Sequence, residues 1–211
     1  IEYQLAFPNL EASLLKGVLR HKELWAAGLG FFSTNLVFGS FLAFYPTAML
    51  ENFDFPLMSS GIVLGLNMGV QGVTSFAITR INTDWKTRAK ILYLFGLVMP
   101  ATYIALVLTD SLPLLLIISV VNGITWGFFP ILLTVTFDLK GIRRQEISVG
   151  HGFLLTAISL GVATGPVLTG SLQDVFDNFR AVLTTISLIS SGLIVAGLFV
   201  RRLTNVQAVE T

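Results

Sequence analysis

The stretch KILYLFGLVMPATYIALVLTD, residues 90–110, decides the fold. Between Lys90 and Asp110 it runs for about 19 residues without a Lys, Arg, Asp or Glu, the length a helix needs to cross a hydrocarbon core of about 30 Å. A run of 10 to 14 would be ambiguous with a buried core helix. The run is also bracketed by opposite charges, basic before it and acidic after it. Five further runs share its length and lack of charge: about 24–48, 57–79, 112–137, 147–172 and 181–200. Helices are expected, because backbone amides in lipid must be satisfied within the segment. A β-barrel would instead show alternating strands of about ten residues.

The charges between the runs alternate in sign. Lys16, Arg20 and Lys22 precede the first, Arg80, Lys86, Arg88 and Lys90 separate the second from the third, Lys140, Arg143 and Arg144 follow the fourth, and Arg201 and Arg202 follow the sixth. Twelve of the thirteen basic residues thus fall on one side if each run crosses once, leaving only Arg180 opposite. The other loops carry Glu51 and Asp54, Asp110, and Asp174 and Asp177. The positive-inside rule makes both termini cytoplasmic. The expected fold is therefore an all-α integral membrane bundle of six transmembrane helices. Residues 1–23 form a cytoplasmic linker, 24–200 the bundle, and 201–211 a short polar cytoplasmic tail expected to be disordered.

Composition agrees. Hydrophobic residues make up 54% and charged ones 12%, against roughly 25% charge in a soluble domain, and mean hydropathy is +0.79. Topology accounts for the basic clusters, so nothing calls for nucleic acid. With no cysteine there is no disulfide framework, thiolate metal site or redox chemistry, and no cofactor or metal site is expected. The first run is too long for a signal peptide and sits behind 23 residues of mixed polarity. The start at Ile1 points to a fragment or a processed piece. Leu10, Leu14, Leu15, Val18 and Leu19, at helical spacing, suggest either an amphipathic interfacial helix or a continuation of the first span.

Small residues recur at four-residue intervals. The second run has Gly61, Gly65 and Gly69, the fourth Gly123 and Gly127, and the fifth Gly161 and Gly165 with Pro166 and Gly170. Such faces let helix backbones approach closely in lipid, so they read first as packing surfaces. Pro46, Pro130 and Pro166 free carbonyls and permit kinks.

The chain resembles the C-terminal six-helix half of a major facilitator superfamily transporter. The likeness rests on the basic lead-in followed by Leu24, Trp25 and a span ending Phe44-Tyr45-Pro46-Thr47. The loop Asp84-Trp85-Lys86-Thr87-Arg88 adds to it, as do Gly123-x-x-x-Gly127-x-x-Pro130 and Gly161-x-x-x-Gly165-Pro166-x-x-x-Gly170-x-x-x-Asp174. The loop departs from the family pattern at Arg80, Trp85 and Thr87. The resemblance implies a multi-pass protein of the plasma (inner) membrane, a lipid bilayer and a small-molecule substrate as partners, and an N-terminal six-helix half beyond this chain. It also implies alternating access, with the first and fourth spans lining a cavity and the glycine-rich second and fifth packing against the other half.

No run contains a charged side chain, so the usual flag of an intramembrane site is missing. The substrate-cavity candidates are neutral: Asn35 and Phe38 in the first span, and Asn122, Trp126 and Phe129 in the fourth. Asn122 and Trp126 are four apart, hence on one face. An amide and an indole suit a small polar or anionic solute; equally, the amides tie helices together and Trp126 fills space. Asn67 and Gln71 read as helix-to-helix hydrogen bonders. His151, near the start of the fifth span, is either a proton relay or an interfacial residue. Trp25 and Tyr45 read as aromatic anchors. A self-sufficient six-helix channel or homodimeric half-transporter is the alternative. An intramembrane protease lacks its Gly-x-Ser-x serine and its paired aspartates, and no catalytic residue is expected.

Overall fold

The computed structural model describes residues 8–80 and 84–207, with side chains for 14–80 and 84–201. Nine α-helices are present among the described residues: α1 (Pro8–Leu19), α2 (Lys22–Phe53), α3 (Leu57–Arg80), α4 (Trp85–Leu108), α5 (Leu112–Thr125), α6 (Phe128–Thr134), α7 (Arg144–Phe176), α8 (Phe179–Ser187) and α9 (Gly192–Gln207). The described residues contain no strand. Short 3₁₀ turns, Val135–Phe137 and Leu188–Ser191, extend α6 and join α8 to α9. Counting α5–α6 and α8–α9 as single crossings, six helical segments are long and apolar enough to span a membrane.

The ends of the helices sort onto two sides. At one, Arg20 Nη2 donates to Gly141 O (3.5 Å), Arg88 Nη1 donates to Thr134 Oγ1 (3.3 Å) and lies 4.0 Å from Asp138, and Arg143 pairs with Glu146. At the other, Arg180 Nη2 donates to Leu108 O (3.5 Å) and its guanidinium covers the Phe53 ring. The end rich in basic residues is thus held together by its own charges. Within the loop Asp84 to Arg88, Asp84 caps α4 by accepting from Thr87 N (3.3 Å). Bonding from Thr87 holds the Asp84 carboxyl below its ordinary range. Trp85 is buried beneath the Arg88 guanidinium, 4.6 Å from its ring centre.

The lead-in is a helix in its own right. It breaks from α2 at Arg20 and His21 and is pinned there by Trp25 Nε1 donating to Leu19 O (2.9 Å). Burial and neighbouring Arg20 push the His21 pKa down. Gly17 of α1 lies directly over the Glu146 carboxylate at the start of α7. Glu146 in turn accepts from the Arg143 backbone N–H (2.8 Å) and guanidinium (2.7 and 2.9 Å). The side chains of Leu10 and Glu11, and the final residues 208–211, lie outside the described set.

Two expectations change. The tail does not leave the helix at Arg202, because α9 continues through Gln207; nothing in Leu203–Gln207 is Pro or Gly, and extending a helix already nucleated is easy. Tyr45 is no interfacial anchor. α2 reaches Phe53, two turns further than Tyr45, and the ring is fully buried against Phe41 (5.8 Å). Pro100 joins Pro46 and Pro166 as a proline inside a long helix.

α2 is the central post. In its most apolar stretch 67% of residues are buried within the chain, against 11% for α3 and 22% for α7. Its closest neighbour is α7, and the contact is backbone on backbone. A Cβ at Gly161 would stand 2.5 Å from Phe32 O and one at Gly39 2.6 Å from Val162 O, while Gly165 faces Leu36 O and Ser40. Gly123 and Gly127 seat α5 on α3 in the same way, against Asn67 O, Val70 and Thr74. By contrast, Gly61, Gly65, Gly69 and Gly170 have open space where a Cβ would go.

Overpacking a tight site costs about 1–3 kcal/mol. Gly161→Ala and Gly165→Ala are therefore expected to lower the unfolding free energy of the purified chain by about that much, measured by urea or thermal denaturation in detergent. Gly65→Ala should leave the same transition in place.

Candidate functional site

Four neutral polar residues of the spans, Asn67, Thr102, Ser119 and Asn122, form one chain of bonds across three helices. Asn122, fully buried on α5, donates from Nδ2 to Thr102 Oγ1 on α4 (2.7 Å) and accepts at Oδ1 from Asn67 Nδ2 on α3 (2.9 Å). Asn67 Nδ2 also donates to Ser119 O (3.1 Å), and Ser119 Oγ donates to Val63 O (2.6 Å). Both ends of the Asn122 amide are thus engaged, and its arrangement ties α3, α4 and α5. The pairing for Asn67 anticipated from sequence is present; Gln71 instead has a buried Nε2 without a partner.

Asn35 turns inward too. Its Nδ2 donates to Phe31 O one turn back (2.8 Å), and its Cβ lies against Gly161 of α7. Asn35 and Asn122 are therefore not brought together.

The aromatic candidates do converge. Trp126 ends α5, with Phe38 of α2 edge-on to it at 5.0 Å and Phe128 tilted against it at 5.4 Å. Phe31 links this group to Phe129, also edge-on, at 5.0 Å. Phe38 and Phe129 are half-buried and Trp126 is almost wholly buried beneath them. A second layer continues through Phe41, which meets Tyr103 of α4 at 4.5 Å and Tyr45 at 5.8 Å.

Three polar groups in this aromatic cluster are poorly satisfied. Trp126 Nε1, Tyr103 Oη and Tyr45 Oη are buried and complete no well-formed hydrogen bond among the described residues, although the Trp126 indole and the Tyr103 hydroxyl face each other. Buried polar groups are paired in the great majority of cases, so three together call for an explanation. Tyr103 and Tyr45 were not legible as members of a site. Tyr103 carries no spacing signal, and Tyr45 sits where an interfacial ring would.

The span that carries Trp126 is not continuous. Trp126 N and Gly127 N bond three residues back, to Gly123 O (3.2 Å) and Ile124 O (3.1 Å), and α6 restarts at Phe128. Pro130 has no N–H to give Trp126 O. That carbonyl accepts instead from Phe129 N (3.0 Å) and from Ser75 Oγ of α3 (3.4 Å). The break is thus satisfied by a neighbour, as lipid-embedded backbone requires.

His151 is held near the basic end. Its Nδ1 lies 2.9 Å from Thr136 Oγ1 and 3.2 Å from Ile147 O, and its ring meets Phe137 edge-on at 5.1 Å. It joins α7 to the turn after α6, away from the aromatic cluster. Among the described residues no group of His, Asp or Glu is arranged to hold a metal ion.

A comparison with curated proteins finds no match. The family model of the Major Facilitator Superfamily matches residues 4–150, which include α1 to α6 whole, the broken span and its aromatic cluster. With that match over more than half its length and six apolar helical crossings, the chain belongs to the Major Facilitator Superfamily, whose members are membrane transporters and not enzymes.

Proposed function

We propose that the chain is the C-terminal six-helix half of a secondary transporter that moves a small solute by alternating access, with both its termini in the cytoplasm. One observation carries this reading: α3 and α7, the two glycine-rich spans, are the least buried within the chain. On α3 the open glycines Gly61, Gly65 and Gly69 repeat every fourth residue and pack on nothing. A smooth ridge of this kind suits a second bundle that must tilt against it.

In this reading Phe38 and Phe129 form an apolar wall facing the solute, backed by the buried Trp126, whose N–H becomes a polar contact once the wall parts. Asn122 acts behind that wall by holding α3, α4 and α5 in register. The polar group this wall can supply is a donor, so a solute that carries a hydrogen-bond acceptor fits it. The break at Trp126 and Gly127 lets the half-span that follows swing without carrying α5 with it.

Labelling tests the topology. Cysteines placed singly at Asp110 and Asp174 are expected to react with an impermeant maleimide from outside intact cells, and ones at Lys86 and Lys140 only after permeabilisation. The reverse pattern overturns the orientation. Asp54 and Asp177 are poor positions, since both adopt positive φ (53° and 49°), which cysteine adopts less readily than aspartate.

Transport assays separate the wall from its support. Trp126→Phe keeps the ring and removes the N–H, so uptake should weaken through a higher apparent KM at unchanged expression. Asn122→Ala should lower stability by about 1–2 kcal/mol for its interhelical bonds while the correctly folded fraction still transports. Unchanged uptake in both Trp126→Phe and Phe38→Leu would remove the cluster from the substrate path.

A further inference from the structure

In this structure the Trp126 N–H is turned to Tyr103, and two features of the packing put it there. Asn122 Nδ2 donates to Thr102 Oγ1 (2.7 Å), which sets the register of α4 against α5; Tyr103 follows Thr102, and Trp126 stands one turn beyond Asn122. Phe41 of α2 then meets the Tyr103 ring at 4.5 Å, while Phe38, three residues earlier on the same face of α2, meets the indole at 5.0 Å. Indole and phenol are thus held side by side against one helix, with the N–H facing the hydroxyl. Both residues are 2% exposed.

The contact between them is a poor one. Neither Trp126 Nε1 nor Tyr103 Oη completes a well-formed hydrogen bond among the described residues. A buried donor without good geometry loses most of the stabilisation that a good bond supplies. An oxygen acceptor that reaches Trp126 Nε1 in good geometry therefore gains more than the phenol loses, and the N–H changes partner. The backbone allows this exchange. Trp126 is the last residue before the break in its span, and its own carbonyl is held from outside by Ser75 Oγ (3.4 Å), so the indole can turn from Tyr103 while the main chain stays pinned.

We propose that Tyr103 is a positioning residue that parks the Trp126 N–H behind the wall, and that a solute's oxygen acceptor binds by taking that N–H from the Tyr103 hydroxyl. The proposal rests on the reading of the wall as part of the solute path. Tyr103 touches no solute; it acts through Trp126. A ligand shifts an equilibrium only by the difference between the two states, and the phenol oxygen stabilises the state the solute must displace. Removing that oxygen should therefore strengthen binding, the reverse of what the loss of a contact residue does.

The full protein, grown with tryptophan carrying nitrogen-15 in its indole, gives one N–H signal per tryptophan in a proton–nitrogen correlation spectrum. The Trp126 signal is the one lost in Trp126→Phe. Without solute, Tyr103→Phe should move it upfield, because the ring stays and the acceptor goes. Tyr45→Phe, which removes the phenol stacked on Phe41 (5.8 Å), should leave it in place. Dimethyl sulfoxide, a strong acceptor with no donor, is then the probe. It should shift the signal saturably in the unmodified protein, and in Tyr103→Phe half-saturation should come at about fivefold lower concentration, the factor for one neutral hydrogen bond. A signal indifferent to Tyr103→Phe means that something else, such as a buried water, holds the N–H, and overturns the proposal. Half-saturation unchanged or raised in Tyr103→Phe makes the phenol a bystander or a direct contact and overturns it too, as does the absence of a saturable shift. If Tyr103→Phe fails to fold, uniform incorporation of 3-fluorotyrosine, which weakens the phenol oxygen as an acceptor, should move both readings in the same directions. None of these readings is transport. A wall outside the solute path shows as unchanged uptake in Trp126→Phe, and an N–H not parked on Tyr103 as an unmoved signal, so the two failures separate.

Discussion

The backbone contact between α2 and α7 is the constraint on which the rest of this bundle depends. In lipid, bringing two apolar helices together gains nothing from the hydrophobic effect, because the tails are as apolar as leucine. What remains is dispersion, which falls steeply with distance. Gly39, Gly161 and Gly165 remove the side chains that would hold the helices apart, so backbone meets backbone over two turns. Once α2 is fixed against α7, its remaining faces meet α9 through Gly30 and Ala196, and α5 and α6 through the aromatic cluster. The most buried helix is therefore the one that presents a small residue to two different neighbours.

Hydrogen bonds add register to a contact that dispersion leaves free to slide. Asn67, Ser119, Asn122 and Thr102 bond to one another or to backbone across helices at 2.6–3.1 Å. Each such bond contributes modestly, since a polar group in an unfolded membrane chain also finds partners. Their direction matters more than their sum. An amide bonded at both ends cannot shift along its helix without breaking both bonds, so sliding any one of α3, α4 and α5 past the others would cost these bonds.

How much of this was legible in the sequence follows from what each feature depends on. The crossings are a property of composition along the chain, and uncharged runs locate them. Their ends are less legible, because helix continues past the last apolar residue: α7 begins at Arg144 and reaches Phe176, beyond both limits of its uncharged run. The separate lead-in helix is a matter of one joint at Arg20 and His21, which spacing alone does not reveal. The role of Asn122 depends on which helices face it. Four-residue spacing puts it on the side of Trp126, but only the packing brings Asn67 and Thr102 to its amide. The glycine stripes look alike in sequence, yet Gly161 and Gly165 are filled by α2 and Gly61 and Gly65 are open.

The interruption of the fourth crossing lies at the edge of that bonded group. A span of uniform hydropathy carries no trace of it beyond Gly127 and Pro130, and in water such a gap would be hydrated. Here Ser75 of α3 supplies the missing partner to Trp126 O, so the break belongs to both helices at once. Rotation of α6 away from α5 would loosen the bond from Phe129 N to Trp126 O (3.0 Å), leave the Ser75 bond in place, and move Phe128 and Phe129, which pack on Phe31 and Trp126. Because α6 carries Thr134, which bonds Arg88 of α4 (3.3 Å), the same rotation would also strain the charged end of the bundle. Contacts thus run unbroken from the aromatic cluster to the basic end through the seven residues of α6.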